Sequence, residues 1–185
     1  MIVKLVHNLY SMNILRYALV IVLFVILIFF GIGLFVPNIS YMNDVYINKS
    51  VPETFEVFGD SSKLHRWVPN FKKIQLIQGR LNQIGSRYTM TVHEDGEDFE
   101  LTETIVDVQE NVLYAMILEN DLLTTEVQVT FGEENGQTHL EAYSVVRGKG
   151  MFMRSALALM KSGLKEKGQI GYENFKKVVE DDDPD

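Results

Sequence analysis

The sequence predicts an α+β domain, a curved antiparallel sheet of about seven strands with a long C-terminal helix, preceded by a single transmembrane helix. Three observations predict this fold class. One uncharged apolar run of bilayer length lies near the N-terminus. Strand-like segments then follow one another with only short turns between them. The last segment has apolar side chains at helical spacing.

The composition divides the 185-residue chain into two unlike parts. Apolar residues occupy 29 of the first 40 positions but only 57 of the remaining 145. All 25 acidic residues and 15 of the 17 basic ones lie in the second part, which therefore has a net charge of −10. Because this sign opposes binding to a phosphate backbone, we expect no nucleic-acid partner.

The apolar run predicts a membrane-spanning helix at residues 17–36, after a short N-terminal segment at residues 1–16. Its 20 residues carry no charge, and as a helix they would extend about 30 Å, the thickness of the hydrocarbon core of a bilayer. A cleaved signal peptide is the alternative. We favour an uncleaved anchor, because the run is longer than a usual signal sequence and no A-x-A-like cleavage site follows it.

The charges beside this helix predict its direction. Lys4 and Arg16 precede it, whereas the first charged residue after it is Asp44. The positive-inside rule then predicts a single-pass membrane protein with a cytoplasmic N-terminus and an extracytoplasmic soluble domain. Residues 37–43 are expected to be a polar hinge, and residues 44–180 the soluble domain.

Periodicity and caps predict the first elements of that domain. Residues 44–49 alternate apolar and polar side chains, which indicates a half-buried strand. Residues 50–53 have the form of a capping box with a proline in the first turn, and Gly59 ends the helix that begins there. A second short helix is predicted at residues 61–68, ending before a proline.

A series of strands follows the two short helices. Turn-forming clusters rich in Gly, Asn and acidic residues separate them. Connections this short join antiparallel neighbours, because a parallel crossover needs a dozen or more residues. The prediction is therefore an antiparallel meander, with strands at residues 71–79, 86–93, 97–108, 112–119, 123–131 and 138–146.

Residues 151 to about 180 predict one long amphipathic helix, since apolar residues recur at helical spacing with lysines between them. We expect this helix to cover one face of the sheet. Gly163, Gly168 and Gly171 weaken it locally and would permit a kink near its middle. Residues 181–185 are predicted to be a frayed, solvated acidic tail.

Four segments resemble the START-like superfamily called SRPBCC, in its polyketide cyclase/dehydrase-like branch. Residues 47–58 are similar to the step from the first strand into a helix that begins with a proline–glutamate pair. Residues 67–69 resemble the tryptophan–proline step of that family, residues 84–88 its glycine turn into the third strand, and residues 136–140 the turn into its last strand. The resemblance spans residues 44–180 and implies a helix-grip fold, in which an apolar ligand commonly lies between the curved sheet and the long helix.

Strand parity and this implied geometry select candidate residues for a ligand cavity. Alternate residues of a strand point to the same face, so each strand offers one inward set. Plain core packing is the alternative role for most of them. The candidates are Trp67, Tyr88, Met90, Phe99, Leu101, Glu103, Tyr114, Met116, Val127, Val129, Met153, Leu157 and Met160.

Glu103 is the polar candidate of most interest. Counting by twos from Phe99 places it with Leu101 and Ile105 on an apolar, inward face of its strand. Buried there, its carboxyl group would have a raised pKa and would act as an acid, a base or a hydrogen-bonding partner of a ligand. The alternatives are that this face points outward, or that a basic side chain on a neighbouring strand pairs with it.

The sequence contains no recognisable catalytic or metal-binding constellation, so it assigns no catalytic residue, metal or cofactor. The absence of cysteine excludes disulfides, thiolate catalysis and cysteine-ligated metals. His65 and His139 stand at no motif spacing from a Ser, Asp or Glu that would form an acid–base pair.

Three functions stay open at this point. The favoured one is a membrane-tethered module that binds a lipid or another apolar small molecule taken from the adjacent bilayer. The second is an enzyme resembling polyketide cyclases, with Glu103, Tyr88 or Tyr114 as acid–base groups. The third is an accessory or assembly protein that presents its surface or groove to a neighbouring membrane protein.

Overall fold

The computed structural model of the chain describes residues 2–94 and 96–181, with side chains from residue 13 onward. A 3₁₀ turn (Ser61–Lys63) precedes the third helix. Of the predicted acidic tail, residues 182–185 lie outside the described residues. The elements are α1 (Ile2–Phe35), β1 (Asn38–Ile47), α2 (Val51–Gly59), α3 (Leu64–Trp67), β2 (Phe71–Gln78), β3 (Arg87–Glu94), β4 (Glu97–Gln109), β5 (Leu113–Glu119), β6 (Leu123–Glu134), β7 (Gln137–Gly148) and α4 (Met151–Asp181).

The seven strands form one antiparallel sheet in the order β1-β7-β6-β5-β4-β3-β2. Strands β2 to β7 are a meander of neighbours joined by short turns, and β1 pairs with β7 at the edge of that meander. The long helix α4 packs on β1 and β7 and contacts α2 and α3. This arrangement confirms the predicted α+β helix-grip fold.

The segment expected to be a hinge, residues 37–43, is instead part of β1 from Asn38 onward, so that expectation is wrong. The strand pairs with β7 from Asn38, opposite Arg147, onward. Ile39 is buried in the core, and Asn43 is only 1% exposed. The amide of Asn43 can be buried because its Nδ2 donates to the carbonyl oxygen of Lys165 in α4 (2.9 Å). The chain therefore passes from α1 to the sheet with no flexible linker.

The capping box predicted for α2 is present. The backbone N–H of Ser50 donates to Oε2 of Glu53 (3.0 Å), and Pro52 lies in the first helical turn. Phe58 of α2 and Trp67 of α3 both pack against Phe175 of α4, with ring centroids 5.5 and 5.1 Å apart. These aromatic contacts attach the two short helices to the long one.

Helix α4 is continuous through its three weakening glycines. Two of them permit close approach to neighbouring elements. A Cβ atom at Gly168 would lie 2.8 Å from Oδ1 of Asn43, and one at Gly171 would lie 3.4 Å from Cδ of Pro69. Gly163 has open space around it. The glycines at 168 and 171 therefore bring α4 close to β1 and to the end of α3.

Two apolar cores lie between the sheet and α4. The second core, at the N-terminal end of α4, contains the buried residues Ile39, Val146 and Leu157, with Val36, Tyr41, Leu123, Met153, Ala158 and Leu164 packed against them. The main core, toward the C-terminal end of α4, contains Val45, Ile47, Val57, Phe58, Tyr88, Ile105, Tyr114, Val127, Val129, Phe131, Leu140, Ala142, Phe175, Val178 and Val179.

Helix α1 contains one segment, Asn13–Phe35, that is long and apolar enough to span a membrane. Its large side chains point away from the rest of the protein: Leu15 is 71% exposed and Phe24 is 62% exposed. Its last two turns contact the start of α4, where Phe29 packs against Phe152 and the backbone N–H of Gly33 donates to Oγ of Ser155. The segment is therefore not a core helix of the domain.

Candidate functional site

Glu103 lies on the inner face of the sheet, between Tyr88 of β3 and Leu118 of β5 in the strand register. It is 8% exposed, and Ile105, two residues later, is fully buried in the main core. A β-bulge follows at Ile105, where the pairing register with β5 shifts. Strand β4 therefore presents Glu103 inward, as its parity predicted.

The carboxyl group of Glu103 has no partner within the described part of the chain. No hydrogen bond or neighbouring charge among those residues contributes to its pKa, which is shifted by burial alone. Its oxygens are not among the fully buried side-chain atoms that lack a partner, so they keep some contact with solvent. Burial raises its pKa to about 7, since an ionised carboxylate is poorly solvated on this face. Near neutral pH the group is populated in both protonation states, so it can donate or accept a hydrogen bond and can exchange a proton.

Two tyrosines accompany this carboxyl group on the inner face. The hydroxyl oxygen of Tyr88 accepts a hydrogen bond from the backbone N–H of Asn82 (2.9 Å), which holds its ring in place. The pKa of Tyr114 is raised, first by burial and then by the nearby charge of Glu103. Tyr114 therefore stays neutral under ordinary conditions and offers a hydrogen-bond donor.

Trp67 supplies a second unpartnered polar group. Its ring packs against Phe58 and Phe175, and its Nε1 atom is buried with no acceptor among the described residues. A buried N–H without an acceptor costs about 1–3 kcal/mol. The interior therefore contains a donor at Trp67 and a carboxyl group at Glu103 that a ligand or water molecule would satisfy.

The structure divides the predicted cavity residues into three groups by burial. The buried ones are Tyr88, Met90, Glu103, Tyr114, Val127, Val129 and Leu157. The half-buried ones are Trp67, Leu101, Met116 and Met153. Phe99 and Met160 are exposed, at 37% and 56%.

Phe99 and Met160 do not belong to an enclosed cavity, contrary to their prediction as lining residues. Phe99 lies close to the β3–β4 turn, near the start of β4, where its side chain is not enclosed. Met160 follows the buried Leu157 by three residues but lies on the exposed side of α4. The remaining candidates are also split, since Leu157 and Met153 belong to the second core and Tyr88, Tyr114, Val127 and Val129 to the main core.

Several inner-face apolar side chains beside the two cores are not fully covered. Strands β4 to β6 and the start of α4 contribute inner-face side chains that are only half-buried: Leu101, Met116, Leu118, Leu123 and Met153. One ion pair joins α4 to the end of β3, between Nζ of Lys167 and Oε1 of Glu94 (2.5 Å). Apolar walls with a few convergent polar groups are the usual composition of a small-molecule site.

The model of the family of Activator of Hsp90 ATPase homolog 1-like proteins matches residues 49–180, more than two thirds of the chain. The chain belongs to this family. The match begins just after β1 and ends in the last turn of α4, so it covers the inner-face residues described above and leaves out α1. Among curated proteins, no sequence matches the chain at a significant level.

Solved structures share the fold of this Activator of Hsp90 ATPase homolog 1-like domain. TTHA0849 from Thermus thermophilus is 13% identical, with a TM-score of 0.65 over 76% of this chain and 97% of its own. SA2116 from Staphylococcus aureus, a protein of unknown function, is 11% identical, with a TM-score of 0.64 over 78% and 94%. The di-domain ARO/CYC StfQ from the steffimycin biosynthetic pathway is 13% identical, with a TM-score of 0.65 over 78% of this chain and 51% of its own.

The family match supports the predicted resemblance to the START-like superfamily, and the solved structures share its fold. At such identities the solved structures show the fold alone. The chemistry of the site must therefore be argued from this chain's own residues.

Sequence reasoning missed one surface feature of this Activator of Hsp90 ATPase homolog 1-like domain. A groove of about 600 Å³ lies between α2 and the β2–β3 loop. Its lining is largely charged or polar and includes Glu53, Glu56, Asp60 and Asn82. The loop reaches α2 because Nδ2 of Asn82 donates to the carbonyl oxygen of Gly59 (2.7 Å). No sequence pattern marks this long-range contact, and the polar lining does not suit an apolar ligand.

Proposed function

We propose that this protein is a membrane-anchored domain that binds a lipid or another apolar small molecule between the inner face of its sheet and α4. The observation that carries the proposal is the environment of Glu103. It is a buried carboxyl group with no partner among the residues that the structure describes, beside half-buried apolar side chains such as Leu118. Burying such a group is costly unless something satisfies it.

A ligand with an apolar body and one polar head suits this environment. The body would lie against the half-buried apolar residues beside the two cores, and the head would bond to Glu103. Tyr114 offers a hydroxyl donor nearby, and Trp67 offers a buried indole N–H that lacks an acceptor among the described residues. A hydroxyl, an amine or an amide head can exchange a hydrogen bond with a carboxyl group whose pKa is about 7.

The membrane anchor is part of the same proposal. A helix with side chains as exposed as Leu15 and Phe24 would place a large apolar surface in water, whereas the hydrocarbon core of a bilayer solvates it. Lys4 and Arg16 favour a cytoplasmic N-terminus and an extracytoplasmic domain. The second core begins directly after α1 at Val36, so a lipid has a short route from bilayer to site.

A second candidate is acid–base catalysis on a bound apolar substrate. Its specific support is the pKa of about 7 at Glu103, which is near the optimum for a group that both takes and gives a proton. Two solved structures of similar fold are di-domain ARO/CYC proteins of biosynthetic pathways. We rank it second because the hydroxyl of Tyr88 is already bonded to the backbone N–H of Asn82, and the raised pKa of Tyr114 makes that hydroxyl reluctant to release its proton.

Native mass spectrometry of the full chain, extracted from membranes in detergent, tests the proposal. We expect a stoichiometric apolar molecule that stays bound to the folded protein and is released on denaturation. Purification with a stoichiometric polypeptide and no small molecule would instead support an assembly role. A protein that is repeatedly free of any small molecule would contradict the binding function.

A further inference from the structure

The end of α1 and the start of α4 lie side by side. The ring of Phe29 contacts the ring of Phe152, with centroids 5.4 Å apart. One helical turn later, the backbone N–H of Gly33 donates to Oγ of Ser155 (3.1 Å). The later residue of α1, Gly33, contacts the later residue of α4, Ser155. The two helical segments therefore run in the same direction, and α4 begins beside the part of α1 that precedes its end.

These contacts show at which level of the membrane span the start of α4 lies. Phe29 lies within the span Asn13–Phe35, six residues before its end, or about 9 Å along the helix axis. Side chains on a helix tilt toward its N-terminus, so the ring of Phe152 points further in the same direction. Phe152 thus lies at the level of lipid-facing residues of α1.

Exposed apolar side chains surround this position. Phe152 is 63% exposed and Met151 is 45% exposed, although both belong to the first turn of α4. Leu122, in the β5–β6 turn, is 49% exposed. It is held nearby because its carbonyl oxygen accepts a hydrogen bond from the backbone N–H of Lys149 (2.8 Å). We call these three residues, Leu122, Met151 and Phe152, the apolar tip.

Resting on the proposed membrane anchor, we propose that the apolar tip inserts into the bilayer beside α1 and holds the domain against the membrane surface. The occupant is lipid rather than a soluble partner, because the tip adjoins α1 at the level of its membrane span. Burial of large apolar side chains in the bilayer interface is favourable, because it removes their surface from water.

Charged residues at the edge of the tip limit how deeply it inserts. Lys149 forms an ion pair with Glu119 (Nζ to Oε1, 2.7 Å), and Asp121 and Arg154 are exposed. Long basic side chains can extend toward the headgroups while their stems stay apolar. The tip is therefore a shallow insertion of three side chains, and the sheet itself stays outside the bilayer.

Tryptophan quenching in liposomes tests this inference. The full chain is reconstituted in phosphatidylcholine vesicles whose acyl chains carry bromine. The wild type supplies the baseline, because Trp67 is the only native tryptophan. In Phe152→Trp, we expect the bromolipid to remove most of the emission that the substitution adds. Leu122→Trp is a second variant that keeps the contact between Phe152 and Phe29 intact.

Leu81→Trp is the matched control. Leu81 is 64% exposed, almost the same as Phe152, but it shares a groove with Val179. Val179 lies 27 residues after Phe152 in α4, or about 40 Å along the helix. The emission that Leu81→Trp adds should therefore persist in bromolipid.

Vesicle flotation separates the tip from the anchor. If the chain floats with the vesicles, but Phe152→Trp and Leu122→Trp are quenched no more than Leu81→Trp, the tip inference is wrong and the anchor stands. A wild-type chain that does not float overturns both.

Discussion

Gly33 of α1 lies directly against Ser155 of α4. The backbone N–H of Gly33 donates to Oγ of Ser155 (3.1 Å), and the same hydroxyl donates to the carbonyl oxygen of Met151 (3.1 Å). Both Gly33 and Ser155 are buried. A Cβ atom at position 33 would overlap the hydroxyl oxygen and the carbonyl oxygen of Met151. The absence of a side chain at Gly33 is therefore what permits α1 to dock on the domain.

Replacing Gly33 with alanine should separate α1 from α4. The overlap involves backbone, so the helices must move apart, and overpacking of this kind costs about 1–3 kcal/mol. We expect a lower thermal midpoint of the detergent-solubilised chain. The control is Gly31→Ala, two residues earlier in α1, where a Cβ atom would meet nothing within 4 Å. Equal midpoints for the two variants would contradict the contact.

Replacing glycine by alanine should have opposite effects on stability at two positions of α4, Gly163 and Gly168. Alanine is favoured over glycine within a helix by about 1 kcal/mol, so Gly163→Ala, in open space, should stabilise the protein. Gly168→Ala should destabilise it, because the new Cβ atom would lie 2.8 Å from Oδ1 of Asn43. Urea unfolding of both variants measures the difference. A stabilising effect of Gly168→Ala would show that β1 and α4 are not packed as described.

Most of the fold could be predicted from local patterns, because each strand after α3 is bounded by its own turn, α2 begins with a capping box and α4 has apolar residues at helical spacing. The start of β1 could not. Its residues include several polar ones, and Asn43 resembles a solvated hinge residue. Its burial depends on Lys165 and Gln169 of α4, which accept hydrogen bonds from its amide. A contact across more than 120 residues leaves no periodic signal in the sequence.

The candidate site was predictable where strand parity alone decides the face. Glu103 and Tyr88 lie opposite each other on the inner face, as the alternation of side chains along each strand predicted. The exposure of Phe99 and Met160 could not be predicted, since it depends on how α4 lies on the sheet and which side of the helix faces it. The buried Nε1 of Trp67 depends on how three helices meet, which no spacing in the sequence encodes.

Glu103 predicts a dependence of stability on pH. Its pKa is about 7 in the folded protein and about 4.5 in the unfolded chain, so the folded state binds the proton more tightly. This stabilisation is fully present below pH 4.5 and is lost as the pH rises through 7. Between pH 5 and pH 8, the wild type should therefore lose about 2–3 kcal/mol of unfolding free energy that Glu103→Gln does not lose.

Urea unfolding at both pH values measures this difference. The control is Glu100→Gln, on the same strand but exposed, which should follow the wild type. Subtracting the wild-type change in unfolding free energy from that of each variant removes the contribution of the other titrating groups. If Glu103→Gln and the wild type change in parallel from pH 5 to pH 8, the carboxyl group is not buried as described.

A larger side chain at Leu118 should fill the proposed ligand site without changing its polar groups. It lies opposite Glu103 on β5 and is half-buried, so the space above it is part of the proposed ligand site. In Leu118→Trp the larger ring would occupy that space, and native mass spectrometry should show loss of the co-purified apolar molecule. The control is Ile117→Trp, the preceding residue, whose side chain points to the opposite face of the same strand. Because both variants add the same ring to β5, retention of the molecule by both would mean that it does not bind above Glu103.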